Sequence, residues 1–564
     1  MFSPLDWSAK QAVGALLLGA LIVWVSYNVQ QAVYNIFFHP LARFPGPRAA
    51  AATKLWKAYI ECIKQESFCH KLEKLHAQYG LPTPSASLCP SWARNLNGMG
   101  SFMHNRSDNV GETVADGLRA SGDVVRVGPD ELHFANPQAY HDIYNSKNKW
   151  DKEWFLYHSF NEDRSSFGFV TYAEAKERKD SQGLIIEKVD ALCAAFERQS
   201  KANKPCDLFY AFRCMSMDVI TYLCFGASVN AIEAPDFKAP IIEAMDASLP
   251  VFVRFKHAEW YKNMIMNCPP NISRVVSPET AGLVDLQQIL KKQISNLTEN
   301  PENLAHLPHQ MTIYHRLLDK EAYRSNTVPS PGSLYEEAQA LMFGGGDTTG
   351  NTLMLGTFHL LKQPETMAKL KAELKEAWPR LSDAPPELRE LERLPYLNAV
   401  AKEALRMSSG VISGLLRVVP AGGAKICETF VPEGTIVSIG STFVHFNPKI
   451  FPNPHEWRPE RWLENPDLDD WLVTFSRGPR MCLGINLAWA ELRLCFAYVF
   501  RKFDMKLEEP AYVEFISVPS MLFLIRRLLT LLFVRRPKKL PFRETFLPYY
   551  YGQHAKAFMT PVAA

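Results

Sequence analysis

No C-x-x-C pair occurs in this chain, and its 11 cysteines follow no regular spacing. That argues against a zinc site or a disulfide framework and fits reduced thiols in a cytosol-facing domain. A charge surplus of either sign is also missing. Against 62 Lys and Arg stand 59 Asp and Glu, a formal +3 over 564 residues, so no nucleic-acid partner is implied. No flavin or nicotinamide glycine fingerprint and no internal repeat is visible, and His445 and the other histidines have no ligand-like spacing. What is plentiful is apolar material, 47% hydrophobic and 12% aromatic, enough for the core of one large catalytic domain.

Charge is absent altogether between Lys10 and Arg43. Residues 12–27 (AVGALLLGALIVWVSY), extended by 29–38, are apolar enough for a membrane helix, which needs about 20 such residues. Asp6 offsets Lys10 before the stretch, whereas Arg43, Arg48, Lys54 and Lys57 follow it. That asymmetry favours an uncleaved single-pass anchor over a signal peptide, with the main domain on the cytoplasmic side. Phe44-Pro45-Gly46-Pro47 then makes a stiff turn. The expected organisation is an anchor over 1–30, a proline-rich hinge over 31–50 and a catalytic domain over 51–564.

Periodicity predicts helices over 333–361, 366–377 and 391–407, the first interrupted by glycines at 344–346, and short strands over 124–127, 435–438 and 555–559. The mixture suits a mainly α domain with small peripheral β-sheets. Two segments read differently. Residues 81–122 are rich in Ser, Asn, Gly and Pro without periodicity, and 515–539 combine an apolar run with Arg526, Arg527, Arg535, Arg536, Lys538 and Lys539.

The densest signal is Phe475-Ser-Arg-Gly478-Pro-Arg480-Met-Cys482-Leu-Gly484, just before the helix-prone run from Ile485. A thiolate at Cys482 gains from the amide N–H groups of the helix start. Gly478 and Gly484 permit a bent backbone close to a flat ligand. Phe475 can cover the sulfur, and Arg480 can pair with an acidic group at the ligand's edge. Such a loop suits thiolate-ligated haem. The pattern F-x-x-G-x-R-x-C-x-G resembles the haem loop of the cytochrome P-450 family, fungal microsomal type.

Further motifs carry the same resemblance. Gly344-Gly345-Gly346-Asp347-Thr348-Thr349 matches the A/G-G-x-D/E-T-T/S of the family's oxygen-activating helix. Three glycines inside a helix predict a bulge or kink, where Asp347 and Thr348 could relay protons. Glu403-Ala-Leu-Arg406 with Arg461 of Pro459-Glu460-Arg461-Trp462 is similar to the family's E-x-x-R and P-E-R-W network, a structural support beneath the haem loop. Arg417 matches an arginine that holds a haem propionate. Arg178 is the best match to a second one, although the aromatic of that early helix pattern and the turn after it are absent.

The resemblance implies a haem b (iron protoporphyrin IX) monooxygenase. It would insert one atom of dioxygen into a small hydrophobic substrate, a fungal secondary metabolite, with electrons from NADPH through a separate flavoprotein reductase. The implied placement is the endoplasmic reticulum membrane. A haem-thiolate isomerase or dehydratase, argued against by the intact Asp347-Thr348 pair, and a non-catalytic or defective haem-binding membrane protein are the alternatives.

Overall fold

The computed structural model describes residues 4–79, 123–148, 150–160, 165, 182–277, 280–300, 312–322, 327–508, 543–545, 547–549 and 554–562. The segments 81–122 and 515–539, and Arg178, lie outside them. The chain divides into two compact units, one of Met1–Ile143 with Leu415–Ile439, the other of Tyr144–Gly414 with Gly440–Ala564.

In the first unit most of the charge-free stretch lies in one helix, Pro4–Phe37. Within Ala12–Phe37 an 18-residue window has a mean hydropathy of 1.9 and no residue buried against the protein, so the helix is long and apolar enough to cross a membrane. The foot of the helix is pinned. Asn35 Nδ2 donates to Ala52 O at 3.2 Å, and the buried Arg126 donates to Asn35 O at 2.9 Å, Gly128 O at 3.2 Å and Pro129 O at 2.6 Å. Strands Val124–Arg126, Glu131–Phe134, Ile436–Ser438 and Arg417–Val418 form a four-stranded sheet in that order, antiparallel except for the parallel central pair. A hairpin, Ala424–Ile426 with Thr429–Val431, accompanies it.

The second unit is helical. Its axis is the central helix Pro331–Lys362, capped by Ser330 Oγ on the Ser333 N–H with Pro331 at the first position. Helix Leu208–Phe225 lies along it, started by Asp207 and stopped by Gly226 at φ 71°. This partner helix is also long and apolar enough to span a membrane, but 83% of it is buried, which marks it as core. Side chains such as Phe212, Met217, Leu353 and Phe358 are almost fully enclosed, each stabilising by roughly 1.5–3 kcal/mol. Helices Pro395–Ser408 and Ile485–Lys502 complete the frame, and strand Phe503–Leu507 pairs with the tail strand Lys556–Pro561, which also holds Cys206–Asp207.

The expected interruption at 344–346 is not there. The central helix runs continuously through the glycines. They serve close approach instead: a Cβ on Gly345 would meet Ile220 at 2.7 Å, one on Gly346 Met217 at 2.4 Å, and one on Gly350 the Arg213 backbone at 2.9 Å. Gly356 does the same where three helices converge, its Cβ position 2.6 Å from Phe496 and 2.9 Å from Ala404. Gly344 differs, with nothing within 4 Å.

Candidate functional site

The cysteine loop is a closed turn ahead of helix Ile485–Lys502. The Ser476 N–H donates to Val473 O at 2.9 Å, a 3-10 turn spans Gly478–Arg480, and the Cys482 N–H returns to Phe475 O at 2.8 Å. Gly478 sits at φ 76°, and a Cβ there would lie 2.5 Å from Asn145 O, so glycine is required on both counts. Phe475 packs against Trp489 with ring centroids 6.1 Å apart. Cys482 is exposed, flanked by Met481 at 45% and Leu483 at 57%. A thiol among exposed apolar side chains, two residues before the helix N-cap Gly484, presents a soft donor on a surface that a flat apolar ligand would cover. Gly484, like Gly344, faces open space.

On the central helix Asp347 and Thr348 sit in different surroundings. Thr348 is part-exposed, and its Oγ1 donates back to Gly344 O at 2.7 Å. Asp347 is 1% exposed and bound by Arg213 of the partner helix, whose Nε reaches Oδ1 at 2.7 Å and whose Nη2 contacts the same oxygen. Arg213 Nη1 holds Asp246 at 2.8 Å. Burial works against the Arg213 charge, but the two carboxylates outweigh it and keep the guanidinium protonated. Burial pushes the Asp347 carboxyl above its usual range against the pull of Arg213. Asp347 Oδ2 has no partner among the described residues. Nothing short-range in the sequence pairs residues 213 and 347; the signal was an arginine in a largely apolar helix whose other charged residue is Asp218.

Glu403, Arg406 and Arg461 meet in a buried network. Arg406 grips both Glu403 oxygens at 2.9 and 2.8 Å, and Arg461 Nε donates to Oε1 at 3.2 Å. The Arg458 N–H and Trp462 Nε1 add bonds at 3.0 and 2.9 Å. The guanidiniums spend their remaining donors on carbonyls of His445, Pro452, Pro454 and Glu456. Burial alone would raise Glu403, but its two arginines hold the carboxyl below the usual range. Sequence reasoning also passed over Glu491, nine residues after Cys482. It is fully buried, bonded by Thr349, and burial raises its carboxyl to about 8.

The cysteine loop, the Asp347-Thr348 pair and the Glu403 network thus belong to the second unit. Arg417 belongs to the first, on a strand edge, 4% exposed, with Nη1 donating to Leu416 O at 3.0 Å.

The cytochrome P450 family profile, matched here as cytochrome P-450, covers residues 118–533. The chain belongs to the cytochrome P-450 family. It is 31% identical to the cytochrome P-450 monooxygenase flvC of Aspergillus flavus, over 97% of this chain and 96% of that protein. It is 29% identical to the cytochrome P-450 monooxygenase cloA of Claviceps purpurea, over 87% and 90%. It is 28% identical to the tryptophan 6-hydroxylase fscE of Fusarium equiseti, again over 87% and 90%. The haem domain of cytochrome P-450DA, 15% identical, superposes with a TM-score of 0.56 over 76% of this chain and 87% of that one, which shows the fold. The chain is therefore a haem-dependent monooxygenase of mainly α architecture. The residues present fit haem: an exposed thiol donor, apolar flanks, and two glycines where a Cβ would stand in open space.

Proposed function

We propose that this monooxygenase oxidises a small hydrophobic secondary metabolite, and that Cys482 is the residue that would hold the haem iron. Bound haem supplies dioxygen activation, by which RH, dioxygen, two electrons and two protons give ROH and water. The chain's own residues prepare the surroundings. Phe475 would shield the sulfur, Gly478 and Gly484 shape the loop, and Arg480, Arg417 and Arg178 are the arginines that would neutralise the propionates. Thr348 offers a hydroxyl from the central helix, and Asp347, held by Arg213 and with one oxygen unpartnered among the described residues, passes protons to it. Glu403, Arg406 and Arg461 hold the scaffold and take no part in the chemistry.

Electrons come from NADPH through a separate flavoprotein reductase. The single-pass helix anchors the chain in the endoplasmic reticulum membrane with the catalytic domain facing the cytoplasm, in line with the basic residues that follow it. The relatives are fungal enzymes, which supports a secondary metabolite as substrate.

One observation carries the reading: an exposed thiol in a closed, glycine-shaped loop at a helix start. The reduced carbonyl spectrum tests it. The full chain should give the red-shifted Soret band of a thiolate-ligated haem, and Cys482→Ser should abolish it. Persistence of the band in that variant places the ligand elsewhere.

A further inference from the structure

The cysteine loop has to be held at one height and tilt, and most of its internal bonds only close it on itself. Two of the bonds at its start tie it outward to the frame. Thr474 Oγ1 donates to Leu405 O at 3.0 Å, and the Val473 N–H donates to Nε2 of His445 at 3.0 Å. His445 is completely buried at the end of the short helix Ser441–His445, 28 residues from Val473 in sequence. Its other ring nitrogen lies 3.3 Å from Ser409 Oγ, which donates to Arg406 O at 3.1 Å, and its carbonyl accepts from Arg406 Nη1 at 2.9 Å. The imidazole thus bridges the Glu403–Arg406 network and the start of the cysteine loop.

The protonation state follows from the partners. Nε2 must accept from a backbone N–H, so the single ring proton resides on Nδ1, which faces Ser409 Oγ and the Arg406 carbonyl. Burial, with Arg406 adding repulsion, lowers His445 to about 3, so the ring stays neutral and keeps its acceptor. Arg406 is the charged group shown against it; Phe451 faces it edge-on at 6.4 Å.

We propose that His445 is a positioning residue for the thiolate, transmitting the register of the Glu403–Arg406–Arg461 network to the loop that presents Cys482 through its bond to the Val473 amide. This rests on Cys482 as the iron ligand.

The test compares His445→Phe, which keeps a flat ring but loses the acceptor, with His445→Gln, whose side-chain carbonyl can still accept. Amide hydrogen exchange over the loop and the reduced carbonyl spectrum per bound haem are read on each full-length protein. In His445→Phe the Val473 amide should exchange about tenfold faster or more, as expected for one lost buried hydrogen bond. A substantial share of its bound haem should lack the red-shifted band, and His445→Gln should recover both readouts. If His445→Phe does not fold, Ser409→Ala, which removes the group orienting the ring, should speed Val473 exchange in the same direction. Unchanged exchange and an unchanged band in folded His445→Phe, equal losses in Phe and Gln, or unchanged exchange in Ser409→Ala would each overturn the proposal. Failure of the ligand assignment is separately visible, because the unmodified protein would then lack the red-shifted band.

Discussion

Two buried clusters of charge in the same unit are built in opposite ways. Around Glu403, both carboxylate oxygens are saturated by Arg406, Arg461, the Arg458 N–H and Trp462. Around Asp347, one oxygen takes both contacts from Arg213 and the other takes none from the described residues. A saturated network is rigid and has nothing left to exchange. An unsaturated one in the interior costs stability and persists where it has work to do. In the proposed reading, the contrast separates a cluster that would hold the cysteine loop from a cluster that would handle a proton.

The comparison breaks first at Glu403. Glu403→Gln leaves two buried arginines facing a neutral amide, which should cost about 3–5 kcal/mol. That is a large part of the roughly 5–15 kcal/mol that keeps a domain folded. Denaturant unfolding measures it. Because the folded carboxyl is held below its ordinary 4.5, its contribution is complete above that pH and is lost as pH falls through the lowered folded value.

Asp347→Asn should leave the fold largely intact, since Arg213 retains Asp246. Reductase-driven dioxygen consumption should fall by roughly 10²-fold or more. Undiminished consumption would make Asp347 a packing residue.

Smaller effects sharpen the account of the helix between the clusters. Gly350→Ala presses a methyl into the Arg213 backbone and should cost about 1–3 kcal/mol. Gly344→Ala meets nothing and should stabilise the unliganded chain by about 0.5–1 kcal/mol through helix propensity. Thermal unfolding of the two variants should move in opposite directions.

Glu491 supplies a pH test. Its folded value of about 8 exceeds the ordinary 4.5, so the folded chain keeps a proton that the unfolded chain releases. Stability should therefore fall as pH rises across that window, by at most about 1.4 kcal/mol per unit. Glu491→Gln should flatten the slope.

Local patterns were legible in the sequence, and long-range pairings were not. The periodic run over 333–361 became Pro331–Lys362, and 366–377 became Pro364–Ala377, because apolar spacing and proline starts act within a few residues. The run over 391–407 split at Pro395, which opens the helix Pro395–Ser408 after a short turn of helix at Leu388–Leu391. The three strand expectations fell on Val124–Arg126, Ile436–Ser438 and Lys556–Pro561. The glycines misled, because a break and a close helix–helix contact both call for the absence of a Cβ, and only the neighbour tells them apart. Arg213 and His445 were invisible for the same reason: their partners lie 134 and 28 residues away.

The ratio of bound haem to protein in Asp347→Asn and Glu403→Gln, purified side by side, tests the separation of the two clusters most directly. Asp347→Asn should load haem close to the level of the unmodified chain, and Glu403→Gln should retain a small fraction of it. Full loading of Glu403→Gln together with loss of haem from Asp347→Asn would contradict the account.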